Sequence, residues 1–446
     1  MSGADARERR GLQRNIPLFV AFRILFNARF YYPVFAILFL DLGLSLEEFA
    51  LANVVWAVAI VVLEVPSGAI ADRIGRRNMV RLASALMVAE MLLIALVPTG
   101  AHALVLGAIL LNRLLSGAAE ASASGADEAL AYDSLCLLGR RDDWPKLLAR
   151  LMRWQSLAFF ASSMIGAACY DPAFINSAFG LCGVETAFDQ QDTMRLPIFL
   201  TLALALGAVG ASWLMHEPDN PAADGGRVTL AGTWRQVVDA WRWFLATPAA
   251  IVLLAAAFLY DSAVRLYLTI GSSYYRLIEI PESAYGLIGS SFALLGLATA
   301  PLGRALVARA GALRNLALPA ALIVIGLGGT ALAIPYWGVV FMLPLGVAFF
   351  LTMFFTSHYL NQWVDTRQRA TVLSFRGLAL NLAYGAIGLA FSGLVALIRK
   401  HADASISETA ALGHALPWVA GYFALAAPAF WLAARVFLRR SGRAAD

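Results

Sequence analysis

Apolar runs of about 20 residues recur from Ile16 almost to the end of this 446-residue chain, separated by short segments rich in Arg, Gly and Pro. A helix of about 20 apolar residues crosses the roughly 30 Å hydrocarbon core of a bilayer. Composition agrees, with 60% hydrophobic and only 14% charged residues, where a soluble domain holds about 45–50% and about 25%. A soluble enzyme is excluded. The alternating segments of about ten residues that mark an outer-membrane barrel are missing, so the chain reads as an all-α polytopic membrane protein. The net charge of +5 is no sign of nucleic acid, because basic residues in such a chain report orientation.

Pro, Gly and charge clusters bound twelve expected spans, at approximately 16–40, 46–71, 79–97, 102–123, 154–171, 196–215, 248–270, 284–305, 315–334, 337–360, 371–398 and 416–438. The polar, Arg-rich start precedes an apolar run too long for a signal peptide and without a small-residue cleavage site, so the first helix is expected to stay. With both termini placed in the cytoplasm, the inner segments collect most basic residues, among them Arg7, Arg10, Arg14, Arg73, Arg76, Arg77, Arg140, Arg309, Arg314, Arg376 and Arg439. The outer segments hold Arg195, Arg276, Arg399 and Lys400. This bias predicts cytoplasmic termini. The long inner stretch around Pro218, Pro221 and Gly225-Gly226 reads as a linker, which divides the chain into an N-terminal six-helix half (1–216), a linker with an amphipathic segment (217–247) and a C-terminal six-helix half (248–446). Cys136, Cys169 and Cys182 have no metal-ligand spacing. Cys169 and Cys182 flank an outer segment and read either as a disulfide or as two small apolar residues.

The chain also aligns with itself. A gap-free offset of 236 places Phe22 on Phe258, Arg29 on Arg265, Tyr31 on Tyr267, Phe49 on Tyr285, Arg73 on Arg309 and Gly75 on Gly311. Two pseudo-symmetric halves are therefore expected, as in many transporters.

Between the second and third spans stands Gly68-Ala69-Ile70-Ala71-Asp72-Arg73-Ile74-Gly75-Arg76-Arg77. Gly68 allows close helix packing, Asp72 can pair with Arg76 one turn on, and Gly75 permits a tight turn, a combination suited to a gating loop. This run resembles the GxxxDRxGRR loop signature of the major facilitator superfamily, at the position where that family carries it. The resemblance implies twelve helices in two halves, alternating access of the rocker-switch type, and a small-molecule substrate. Arg113-Leu114-Leu115-Ser116-Gly117 resembles the RxxxG pattern of proton-coupled drug antiporters in that superfamily, which points to efflux. Asp127 falls where that group carries an acid at the end of its fourth helix, and the resemblance implies a contact between Asp127 and Arg76 or Arg73. The Gly-Pro signature expected in the fifth span is missing from Ala161-Ser162-Ser163-Met164-Ile165-Gly166, which keeps uptake symport, uniport and lipid or lysolipid translocation open.

Ionisable residues inside the bilayer are costly and mark candidate substrate or proton sites. Arg29 lies halfway along the first span, with Arg23, Asn27 and Tyr31 near it, and Arg265 is its repeat mate. Asp261 precedes Arg265 by one helical turn, so the two can neutralise each other until a ligand or proton intervenes. Its alternative is a static ion pair that fixes packing. Glu64, Glu90 and Arg113 complete the substrate or proton candidates, each with a structural alternative, whereas Glu120 and Glu128 read as loop neighbours. No HExxH, GxSxG or P-loop is present and the five histidines are scattered. The expectation is therefore a transporter and not an enzyme, without catalytic residues, metal or cofactor. Its expected partners are a small-molecule substrate, protons and the lipid bilayer, without nucleic acid, and it is expected to act as a monomer in a bacterial inner membrane.

Overall fold

The computed structural model describes residues 3–217, 235, 238, 241–364, 369–402 and 406–440, and among these no strand is found. Helices follow from the lipid environment, because a helix satisfies its backbone internally where water is absent. Among the described residues eleven helices are long and apolar enough to span a membrane, or twelve when the bent pair Arg141–Tyr170 and Pro172–Leu181 counts as one. The order is α1 (Gly3–Asn27), α2 (Phe35–Asp41), α3 (Leu46–Ile74), α4 (Arg76–Leu96), α5 (His102–Ala123), α6 (Ala126–Leu137), α7 (Trp144–Tyr170), α8 (Pro172–Leu181), α9 (Gln190–Thr193) and α10 (Leu196–Leu214). After the linker come α11 (Pro248–Thr269), α12 (Gly271–Leu277), α13 (Tyr285–Val307), α14 (Ala312–Thr330), α15 (Met342–Trp363), α16 (Arg369–His401) and α17 (Glu408–Arg440). The interior of the linker, 218–234, lies outside the described residues.

The described residues of the chain fall into two compact units, bounded along the chain as follows. The first contains residues 1–34, 41–43 and 58–233. In it α4 packs on α5 and α10, and α1 packs on α10, α6 and α7. Phe22, Phe26, Met79, Val80, Met87, Leu130, Ala205 and Ala208 form a buried apolar cluster at these contacts. The second unit contains 35–40, 44–57 and 234–446. There α14 packs on α15, and α11 packs on α15 and α16.

The sequence predicts one unbroken first span over 16–40, and the structure breaks it. Residues 28–31 leave the helix between α1 and the 3₁₀ turn Tyr32–Val34. Pro33 supplies the cause, since its ring crowds the carbonyl four residues earlier, that of Arg29, and it brings no N–H. Non-helical backbone at this depth needs partners. Phe30 N donates to Thr201 Oγ1 at 3.1 Å, and Tyr32 N donates to Arg29 O at 3.2 Å. Gly166 of α7 makes room, because a Cβ there would stand 1.7 Å from the Phe30 carbonyl oxygen.

The repeat offset reappears in the elements themselves. α2 begins and ends at Phe35 and Asp41, and α12 at Gly271 and Leu277, each 236 positions later; α4 and α14 begin at Arg76 and Ala312 with the same separation. A bend of 88° separates α7 from α8. It falls where Asp171 accepts the N–H groups of Ala173 and Phe174 and Pro172 opens the new helix. Cys136, Cys169 and Cys182 are all free, so the disulfide alternative is not what the structure contains.

Candidate functional site

Each unit holds an arginine paired with a buried carboxylate. In the first unit Arg29 occupies the break after α1 and is 1% exposed, and Glu90 of α4 is fully buried. Arg29 Nη1 forms an ion pair with Glu90 Oε1 and donates to the Tyr31 hydroxyl at 3.0 Å. The guanidinium also stacks near the rings of Phe26 and Tyr32, at 5.7 and 5.9 Å from their centroids. Its Nε and Nη2, and Glu90 Oε2, are buried without a hydrogen-bond partner among the described residues. Asn112 of α5 donates to the Glu90 carbonyl at 2.7 Å. Arg113, 4% exposed, donates through Nε and Nη2 to Asn112 Oδ1 at 2.9 and 2.7 Å. A chain of polar contacts thus runs from Arg29 to Arg113.

In the second unit Asp261 is 2% exposed on α11, and Arg265 one turn on stands 2.8 Å from its Oδ2. Arg265 Nη1 also donates to Asn381 Oδ1 of α16 at 3.0 Å, and its guanidinium lies 5.6 Å from the Tyr384 ring centroid. The Tyr384 hydroxyl meets Thr269 Oγ1 at 3.0 Å. Arg376, read from the sequence as an inner-face charge, is half-buried on α16 and close enough to act electrostatically on both Asp261 and Arg265. Two arginines therefore face one carboxylate here.

The other candidates separate. Asn27 donates back to the Arg23 carbonyl at 2.8 Å and serves its own helix. Glu64 is half-buried on α3 and its carboxylate makes no ion pair among the described residues. Glu120, expected as a loop neighbour, sits inside α5 within electrostatic reach of Arg29. Glu128 pairs with Arg23 at 2.6 Å.

Around the loop expected to gate, the contacts differ from expectation. Asp127 pairs with Arg23 at 2.6 Å, and Arg76 pairs instead with Asp133, nearly two turns along α6. The geometry of α6 decides this: Asp127 is fully buried at its first turn, against α1, whereas Asp133 is partly exposed farther along. The side chains of Asp72 and Arg73, and Gly68, lie outside what is described. Gly75 has φ +92°, and a Cβ there would stand 3.0 Å from the Glu217 carboxylate. Glu217 accepts the N–H groups of Arg76 (2.9 Å) and Arg77 (2.7 Å), which places negative charge on the N-terminus of α4.

Two ties gave no sequence signal. Glu217 is one, since nothing marks an acid 141 positions away as the cap of Arg76. The other is Asn15, which is fully buried and bonds to Ser134 Oγ at 2.9 Å, His216 O at 2.8 Å and His216 N at 2.8 Å. Among the described residues no group of three or more His, Cys, Asp or Glu could hold a metal ion.

Comparison with solved structures shows the same fold. The nucleoside transporter NupG superposes with a TM-score of 0.71 at 15% identity, covering 96% of this chain and 99% of that one. A bacterial homolog of the human lysosomal transporter Spinster, in an inward-facing and unoccupied conformation, gives 0.68 at 14% identity, over 97% and 98%. A D-xylose-proton symporter gives 0.63 at 14% identity, over 95% and 96%. A search of curated protein sequences finds no match. The family profile of the Major Facilitator Superfamily matches residues 18–360. The chain is an integral membrane protein with the transporter fold of that family, and it belongs to the Major Facilitator Superfamily.

Proposed function

We propose that the chain is a proton-coupled secondary transporter that exports a small molecule by alternating access. The observation that carries this reading is the pair of repeat-related arginines: Arg29 and Arg265 each hold a buried carboxylate, Glu90 and Asp261, within their own unit. A buried ion pair is poor support for stability alone, since desolvation offsets much of its attraction. Its value lies in exchange: a proton on the carboxylate releases the arginine to hold an anionic or polar substrate group. Arg29, Glu90, Tyr31, Arg113, Asp261 and Arg265 are the proposed binding and proton-carrying residues, with Arg376 and Asn381 added. Glu64 and Asn27 are secondary candidates. Export is supported by the antiporter-like run from Arg113 to Gly117.

Uptake is the second reading, favoured by the missing Gly-Pro in the fifth expected span and by the fold shared with a D-xylose-proton symporter. Proteoliposomes loaded with a pH-sensitive dye and challenged with cationic, anionic and neutral compounds separate the two. Export by antiport moves protons against the compound, and symport moves both together. Asp261→Asn and Glu90→Gln are expected to abolish compound-dependent proton flux in folded protein. Unchanged flux in both variants removes the carboxylates from the mechanism.

A further inference from the structure

A second candidate site lies toward the opposite end of α1 from Arg29, where α1 meets the end of α10. A cavity of about 640 Å³ is lined there by Arg7, Arg10, Arg14, Trp213, Leu214 and His216, among others. Its volume is within the range that holds a small organic ligand, roughly 300–1,000 Å³. The three arginines stand at spacings of three and four, which puts them on one face of α1. Among the described residues no carboxylate pairs with any of them: Arg10 Nε donates to Ala6 O at 3.2 Å, and Arg14 Nη2 to Leu214 O at 2.5 Å. Both bonds use main-chain acceptors and leave the remaining guanidinium donors exposed.

The opposite wall is of another character. Leu214 and Trp213 are exposed apolar residues, and Met215 lies behind them as part of the lining. Arg81 of α4 supports this wall, with its guanidinium 4.6 Å from the Trp213 ring centroid and Nη2 on the Trp213 carbonyl at 3.2 Å. Depth completes the argument. The apolar part of α1 begins at Ile16 and that of α10 ends at Leu214, so the cavity sits at the boundary of hydrocarbon and water. Arginine is the side chain suited to phosphate, through its planar fork of donors, and Trp is enriched at this depth.

The geometry points to a binding site for the phosphate of an anionic membrane phospholipid, with Arg7, Arg10 and Arg14 on the phosphate and Trp213 and Leu214 against the glycerol and first acyl carbons. A phospholipid is the occupant that matches cationic and apolar walls together at that depth. A free phosphate uses only one of them. The occupant would join the ends of α1 and α10, next to the residues His216 and Glu217 that already tie α10 to Asn15 and to the N-terminus of α4.

The test uses the full chain in detergent, with short-chain phosphatidylglycerol, short-chain phosphatidylcholine and inorganic phosphate as probes, read by native mass spectrometry and titration calorimetry. The expected result is saturable binding of phosphatidylglycerol at one site, with phosphatidylcholine and inorganic phosphate far weaker. A basic residue near an anionic lipid surface contributes enough that the triple variant Arg7→Gln, Arg10→Gln, Arg14→Gln should bind about 100-fold more weakly. Arg304→Gln, Arg309→Gln, Arg314→Gln removes the same charge elsewhere and should bind as the wild type does. Should the first triple variant fail to fold, Arg10→Gln alone, which gives up one bond within its own helix, is expected to weaken binding about fivefold. Equal binding of both lipids, equal loss in both triple variants, or unchanged binding without the three arginines overturns the site. Phosphate binding as tight as that of the lipid overturns the lipid assignment.

Discussion

The Ser272 hydroxyl accepts the main-chain N–H groups of Ala36 at 2.9 Å and Ile37 at 3.2 Å, and Ala36 stands 236 positions before Ser272. That separation is the offset of the internal repeat, so a residue of one repeat caps its own mate in the other. The first N–H groups of any helix need such an acceptor. α2 restarts after the break at 28–31 and has no side chain of its own to supply one.

Ser272→Ala should therefore lower stability by about 1–3 kcal/mol, the cost of leaving buried donors without an acceptor. Ser272→Thr keeps the hydroxyl and should lose much less. Thermal unfolding in detergent reads both, and equal Tm values for the Ala and Thr variants would show that the cap contributes nothing.

Breaking the Arg29 and Glu90 pair from one side leaves a buried charge alone. Glu90→Leu is expected to cost about 3–5 kcal/mol, and adding Arg29→Met should recover most of that loss. Transport should stay absent in the double variant. A double variant as unstable as the single one contradicts the account of an uncompensated charge, and a double variant that still transports contradicts the functional role.

Gly166→Ala sets a Cβ against the Phe30 carbonyl, where main chain cannot yield as a side chain can. The variant should fold poorly or lose several degrees of Tm. Gly107, on α5, has nothing within 4 Å of such a Cβ. Gly107→Ala should be neutral or slightly stabilising through helix propensity, about 1 kcal/mol at most. Similar behaviour of the two variants would mean that the close approach at Gly166 is not rigid.

Glu217→Ala removes the acceptor of two N–H groups at the start of α4. The loss should be about 1 kcal/mol, with faster amide exchange at Arg76 and Arg77. Asp133→Asn weakens the other tie to this loop, that of Arg76. Both variants are expected to change turnover more than substrate affinity. A change in affinity alone would assign the loop to binding and not to gating.

The sequence disclosed those features whose cause is local. Span positions were legible because crossing hydrocarbon demands a fixed length of apolar helix. Asp261 and Arg265 were legible as a pair because they stand one turn apart on one helix. The partner of Arg29 was not, since Glu90 lies 61 positions away on another helix and only tertiary packing brings it near. The break in the first span carried a signal in Pro33, which acts on the carbonyl of Arg29. That signal was outweighed by an apolar pattern that continues on both sides. Asp127 found Arg23 where Arg76 was expected, because α6 rotates its first turn toward α1, a choice no spacing rule contains.

The interruption after Asn27 also decides how this molecule can be dissected. Residues 35–40 and 44–57 pack in the second unit although they precede most of the first in the chain. A gene split at the linker would thus yield a C-terminal fragment missing the segment that bears the capped N–H groups of Ala36 and Ile37, and missing Glu47, which pairs with Arg399 at 3.0 Å. Supplied in trans as a separate peptide covering 35–57, that stretch should rescue the fragment, in the manner of a complementing piece returned to an incomplete whole.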